Sequence, residues 1–319
     1  MYYAGIDLGG TNIKAGITDE NGTLLCEAFT KTQAQRPYQE IVRDMAGCVA
    51  QALKNGKINR EDVVSIGIGI PGYADRTTGR VVFCTNLGWH DVPLRDEMQR
   101  YYSLPVAIDN DATVAGYAES IAGVSKGKSS SVFLTLGTGV GGGIVINGRP
   151  WSGAHGIGSE IGHTIMAMDG VPCNCGNDGC VERYTSATAI IRMARQACLT
   201  YPDSLMMVRA GGDPARINAK TVFDAAKTGD RAALEVFEDY CKYLAIVINN
   251  VISFLDPDVI VLGGGVSYAG SFLLDRVKEK LPRYLLYKTL PYPDILLAQL
   301  GNEAGMIGAA MIGKLALGQ

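Results

Sequence analysis

The sequence predicts a duplicated α/β fold: two lobes with a central cleft. Three observations carry that expectation. At 319 residues the chain is too long for one compact core of ordinary size. Strand-like and helix-like hydrophobic periods alternate along it. One device also occurs twice, as "IDLGGTNIKAGI" and "LTLGTGVGGGIVI": a strand, a Gly/Thr-rich turn and a returning strand. No low-complexity linker separates the halves, so the hinge is expected to be short.

The elements follow in order. "YYAGIDLGG", "TNIKAGITD" and "TLLCEAFTK" read as three strands, with "ENG" turning the chain between the last two. Ile41, Met45, Cys48, Val49, Ala52 and Leu53 keep helical spacing on one face. "VVSIGIGIPG" is a buried strand running into a turn, and "PVAIDNDATVAGYAES" is a strand ending near Asp109 with a helix from about Asp111. The second cycle opens at "SSVFLTLGTGVGGGIVINGR". A long helix, "AALEVFEDYCKYLAIVINNVISFL", stops before Asp256-Pro257, where the residue preceding proline disfavours helix. "DVIVLGGGVS" is a buried strand ending in glycines, and the tail from about Glu303 is a small-residue helix suited to close packing. The expected lobes are a small one, residues 1–120 plus about 303–319, and a large one, about 121–302, carrying a cysteine-rich loop.

Composition narrows the function classes. Apolar residues at 47% and charged residues at 19% describe an ordinary soluble protein, and a net charge of −3 gives no basic footprint for nucleic acid. The start "MYYAGIDLGG" lacks the charged region and cleavage site of a signal peptide. The most apolar stretch is interrupted by Asn249, Asn250, Asp256 and Pro257, so no membrane span is expected. A cytoplasmic location follows, with the eight cysteines reduced. Cys26, Cys48, Cys84, Cys198 and Cys241 are scattered singly, as core residues are.

"GTGVGG" matches a dinucleotide fingerprint, but a strand follows it where that motif requires a helix. Both glycine turns therefore read as hairpin loops whose backbone N–H groups, with the hydroxyls of Thr11 and Thr138, surround phosphate oxygens. Tight turns without a ligand would explain the glycines but not the matched threonines. The first turn supplies Gly9, Gly10, Thr11 and Asn12; the second supplies Thr138 and Gly139. Asp7 precedes the first turn, where a carboxylate can hold hydrated Mg²⁺ against nucleotide phosphates or simply cap the turn. Lys14 is either a phosphate partner or a solvated strand lysine.

"PCNCGNDGCVE" packs three cysteines closely; as free surface thiols they would be an oxidation hazard with no compensation, so a metal site is the expectation. Of the three histidines, His163 in "SEIGHT" lies nearest, and His163, Cys173, Cys175 and Cys180 make a Cys₃His set of structural zinc composition. Four protein ligands leave no open position for water activation. If one ring nitrogen of His163 binds the ion, the other is oriented for a different partner.

Taken together, "GIDLGGTNIKAGI", "IPG", "DND", "LGTGVGGG", "EIGH", "CNCGNDGCVE" and "VLGGGVS" resemble the ROK family of repressors, open reading frames and kinases, over nearly the whole chain. The resemblance implies ribonuclease-H-like lobes of the actin-like ATPase kind and an ATP-dependent hexose kinase. It implies Asp111 as the general base, Asn110 beside it on a sugar hydroxyl, and Glu160, His163 and Glu182 as further sugar contacts. Gly72, ending "GIPG", is expected to offer its N–H to the sugar, with Asn86 at the rim. Gly264 and Gly265 resemble the family's adenosine-side loop. Asp111 also suits a helix N-cap, and Asp109 competes with it as base. The chain starts at its first phosphate loop, which favours the kinase branch over repressors carrying an N-terminal DNA-binding arm. The implied reaction is ATP plus D-glucose to glucose 6-phosphate, with structural zinc, Mg²⁺ with ATP, and a homodimer. N-acetylmannosamine, allose or fructose as the hexose, polyphosphate as donor, and a non-catalytic sugar sensor are the alternatives.

Overall fold

The computed structural model describes residues 1–318. β1 (Tyr2–Leu8), β2 (Asn12–Thr18) and β3 (Leu24–Lys31) form an antiparallel meander. α1 (Tyr38–Gly56) buries the stripe anticipated from its spacing, Ile41, Met45, Cys48, Val49, Ala52 and Leu53 included. β4 (Val63–Ile70) pairs parallel with β1. A small antiparallel sheet follows, β5 (Tyr73–Asp75), β6 (Arg80–Cys84) and β7 (Trp89–Val92), then α2 (Leu94–Gln99). That sheet was not legible in the sequence, because its strands are three to five residues long. β8 (Val106–Asn110) runs parallel to β4 and leads directly into α3 (Asp111–Ala122).

The second cycle begins with β9 (Ser130–Leu136), β10 (Val140–Ile146) and β11 (Arg149–Trp151). The cysteine loop leads to α4 (Glu182–Thr185), α5 (Ala187–Thr200), α6 (Leu205–Arg209), α7 (Ala219–Lys227) and α8 (Arg231–Leu255). β12 (Val259–Gly263), α9 (Ser271–Lys280), β13 (Asp294–Leu297) and α10 (Ala304–Leu315) complete the chain. The duplication is explicit in the two five-stranded sheets, ordered β3-β2-β1-β4-β8 and β11-β10-β9-β12-β13. Each sets a three-strand meander beside two strands joined in parallel.

The chain divides into two compact units. One comprises Met1–Phe133, Gly143–Ser159 and Gln299 onward; the other comprises Leu134–Gly142 and Glu160–Ala298. In the first unit the small-residue tail packs as its composition predicts. A Cβ on Gly5 would collide with the Met306 carbonyl and one on Gly67 with the Ala309 carbonyl, so α10 lies directly on the backbones of β1 and β4. In the second unit α8 is capped by Asp230, whose Oδ1 accepts from Ala233 N at 2.9 Å, and ends at Asp256 in the left-handed region (φ 40°) just before Pro257. Its buried stripe includes Phe237, which stacks on Phe272 at 4.3 Å, while Tyr240 donates to the Thr185 carbonyl at 2.8 Å. Cys48, Cys84, Cys198 and Cys241 are buried and Cys26 is partly so, consistent with packing roles.

Candidate active site

In the first unit the β1–β2 turn is held from two directions. Gly9 N donates to Asn12 O at 2.9 Å across the turn; Thr32 donates its hydroxyl to Gly9 O at 2.7 Å and its N–H to Thr11 O at 2.9 Å. Thr11 is exposed, and Asn86 packs over Gly10. Asp7 lies one quarter exposed at the end of β1, 4.0 Å from the Lys14 ammonium. Burial raises the Asp7 carboxyl above the usual carboxylate range, and Lys14 only partly opposes it. Lys14 also donates to the Asn302 carbonyl at 3.4 Å.

At the end of β8 three adjacent polar residues divide the work. Asp109 is buried; its Oδ2 meets the Arg76 guanidinium at 2.5 Å and its Oδ1 accepts from Asn110 N at 2.8 Å. Burial nevertheless holds its carboxyl above the usual range. Asn110, not Asp111, is the N-cap of α3: its Oδ1 accepts from Ala112 N at 2.9 Å and Thr113 N at 3.1 Å. Its Nδ2 donates to Gly72 O at 3.3 Å. Asp111 is the first helical residue and half-buried, with Oδ1 accepting from Ala112 N at 2.8 Å. A carboxylate there also lies at the positive end of the helix dipole.

Gly72 ends the β4 turn beside Asn110. Its N–H donates to Ile70 O at 3.0 Å. The residue is glycine because a Cβ would strike the Phe83 carbonyl of β6.

In the second unit the cysteine loop assembles the expected set. One ligand atom from each of His163, Cys173, Cys175 and Cys180 lies within 4.8 Å of the others. Cys175 and Cys180 sulfurs are 3.5 Å apart, and Cys173 Sγ is 3.8 Å from His163 Nδ1. A regular tetrahedron with Zn–S of about 2.3 Å puts sulfurs about 3.8 Å apart, so spacing and donor chemistry both fit zinc. The Asn177 N–H holds the Cys175 thiol down to about 7, whereas burial and the neighbouring thiols push Cys180 up to about 12. A divalent cation held by these residues would favour all three as thiolates. His163 thus turns Nδ1 to the cluster. Its backbone N–H donates to Glu160 O at 3.0 Å, which places the exposed Glu160 one short turn away.

Glu182 follows the cluster as the first residue of α4. Its Oε2 accepts from Val140 N at 3.0 Å, and a Cβ on Gly139 would overlap that oxygen. The second glycine turn is also bound from α5, with Ala187 N donating to Gly137 O at 2.8 Å and Thr188 Oγ1 to Thr138 O at 2.6 Å. Gly264 (φ 80°) is required where the β12 turn crosses the backbone of Leu136; Gly265 faces open space.

With this geometry in view, comparison with known proteins is decisive. The ROK family model matches residues 3–315. The chain belongs to the ROK family. This ROK chain is 37% identical over 314 residues to a glucokinase of Halalkalibacterium halodurans, covering 98% of this chain and 95% of the other. It is 36% identical over 315 residues to a glucokinase of Thermotoga maritima, covering 98% of each. Its fold matches the crystal structure of a ROK glucokinase from Streptomyces griseus in complex with glucose and AMPPNP, with a TM-score of 0.84 and 33% identity over 99% of this chain and 100% of that one. That match shows the actin-like ATPase fold for this ROK protein.

Three features escaped the sequence reading. Arg76, which joins Asp109 and also donates to Ser152 Oγ at 2.5 Å, sits in a turn with no signal of its own. The Glu182–Val140 bond joins residues far apart in the chain. Glu119, wholly buried on α3, showed only as a lone acid among small residues.

Proposed function

We propose that this protein transfers the γ-phosphoryl group of ATP to the 6-hydroxyl of D-glucose. The observation that carries the reading is the position of Asp111. Asp111 stands half-buried at the first position of α3, directly after Asn110, where a carboxylate can accept a hydroxyl proton. The glucokinase relatives, one of them bound to glucose and AMPPNP, support glucose and ATP as the substrates.

Asp111 takes the 6-hydroxyl proton as the oxygen attacks the γ-phosphorus. Glu160, Glu182 and His163 Nε2 bond the remaining sugar hydroxyls, and carboxylate acceptors make those bonds charge-assisted. Asn110 keeps one amide hydrogen for the sugar while capping the helix, and Gly72 contributes its position beside Asn110. Gly9, Gly10, Thr11 and Asn12 grip phosphate oxygens at one turn, with Thr138 and Gly139 at the other; Lys14 adds positive charge. Gly265 leaves room for the adenosine, and Gly264 shapes the turn that admits it. Asp7 would hold magnesium, which would supply positive charge against the phosphates. His163, Cys173, Cys175 and Cys180 would hold a structural zinc that fixes the orientation of His163 and of Glu160 and Glu182 beside it.

Among the described residues no helix is long and apolar enough to cross a membrane. With all eight cysteines unpaired, the cytoplasm is the proposed location. A homodimer is the assembly the family suggests, and sedimentation of the purified protein checks it.

The deciding experiment is ADP release measured across a panel of hexoses, with polyphosphate as an alternative donor. Glucose with ATP should give the highest kcat/KM. A higher value for another hexose replaces glucose in the reading, and no turnover with any sugar turns it to a sugar sensor.

A further inference from the structure

We propose that Glu119 is a positioning residue for phosphoryl transfer, acting through α3 on Asp111; this rests on the kinase reading above. Glu119 is fully buried, and its carboxylate is met by three backbone N–H groups. Oε2 accepts from Val124 N at 2.9 Å, just beyond the end of α3, and Oε1 accepts from Gln299 N and Leu300 N, both at 2.9 Å. A carboxylate can satisfy all three donors because both oxygens are acceptors, which no neutral side chain of this size matches.

Gln299 is where the chain re-enters the first unit from Ala298. The other passages between the units fall at Phe133/Leu134, Gly142/Gly143 and Ser159/Glu160. On the first-unit side each is touched by α3. Gly116 lies against Phe133 and Gly143, closely enough that a Cβ there would sit 2.8 Å from Phe133 Cβ and 3.2 Å from Gly143 Cα. Thr113 Oγ1 lies 3.4 Å from Ser159 Oγ. The helix that opens with Asp111 is therefore the common support of all four connections, and Glu119 is its charged attachment. Asp111 and Glu119 are eight positions apart, about 12 Å along a rigid helix. A shift of α3 at its far end moves the carboxylate at its start, and misplacement by about 1 Å is enough to cost roughly 10²-fold in rate.

The test combines Glu119→Gln kinetics with amide exchange. Gln keeps the shape but presents an NH₂ group to one of the two donor sets. The folded variant should show kcat reduced about 10- to 100-fold, KM for glucose and ATP within about threefold of wild type, and faster exchange at Gln299 and Leu300. A folded variant with kcat within about twofold of wild type and faster exchange overturns the positioning role and leaves a structural clasp. If Glu119→Gln does not accumulate as folded protein, the wild type decides: Gln299 and Leu300 amides exchanging as fast as exposed loop amides overturn the clasp. A wild type that phosphorylates no sugar overturns the kinase reading and the positioning role together, whereas an active wild type with an unaffected variant overturns the positioning role alone.

Discussion

Glu182 Oε2 accepts the backbone N–H of Val140 at 3.0 Å, so the carboxylate that follows the cysteine cluster also braces the second glycine turn. One residue thereby links the loop proposed to face the sugar with the loop proposed to face phosphate. Gly139 belongs to the same contact, because any Cβ there overlaps Glu182 Oε2. Gly139→Ala should displace the carboxylate and lower kcat/KM for both glucose and ATP by about 10- to 100-fold, the worth of a charge-assisted bond. Steady-state kinetics with each substrate varied would show it. A loss confined to ATP would mean that Glu182 takes no part in sugar binding.

Asp111→Asn should lower kcat by about 10²- to 10⁴-fold with little change in glucose or ATP affinity. The fold should survive, since Asn110 provides the cap of α3 and an Asn side chain can still accept from Ala112 N. Single-turnover rates beside calorimetric affinities separate the two effects. Near-normal turnover would transfer the base role elsewhere.

The purified protein should contain one zinc per chain. Its removal by a strong chelator should abolish glucose binding while nucleotide affinity changes little. Cys175→Ser, at the exposed ligand, should weaken metal retention without unfolding the chain. Elemental analysis of active protein is the check, and active zinc-free protein would end the structural role.

Asp7 links stability to pH with a definite sign. Its folded-state pKa is raised, mainly by burial, so the neutral form fits the fold better. The stability it contributes is complete below the unfolded pKa and is lost as pH rises through the folded one. Asp7→Asn, which mimics the neutral form, should therefore be more stable than wild type at neutral pH without magnesium nucleotide, yet far less active. Urea midpoints measured at acid and neutral pH test this; a variant less stable at neutral pH would show that the Lys14 pair at 4.0 Å outweighs burial.

Ser159 holds φ at 75°, immediately before Glu160. A left-handed L-residue costs about 1–2 kcal/mol. Ser159→Gly should remove that cost against a chain-entropy penalty of about 0.5–1 kcal/mol. A net gain of roughly 0.5–1 kcal/mol is expected from urea unfolding. Destabilisation would instead give weight to the Thr113 hydroxyl contact at 3.4 Å.

By itself the sequence determined whatever depends on neighbours within a few positions. The period of Ile41 to Leu53 set the buried face of α1, Asp256-Pro257 ended α8, and two Gly/Thr-rich turns announced the duplicated sheets. The Cys₃His set was equally legible, because its ligands lie on one short loop and its partner histidine nearby. The tertiary structure alone decided which polar groups are already engaged. That Arg76 meets Asp109 and that Glu119 receives Gln299 follow from distant segments brought side by side, while the choice of Asn110 over its neighbour Asp111 as the cap of α3 is a local bond that residue type alone left open. Hydrophobic period and motif spacing report only which face of an element is buried. The hydrogen-bond partners of a buried polar group are set by the strands and helices that pack against it, and no local pattern encodes those.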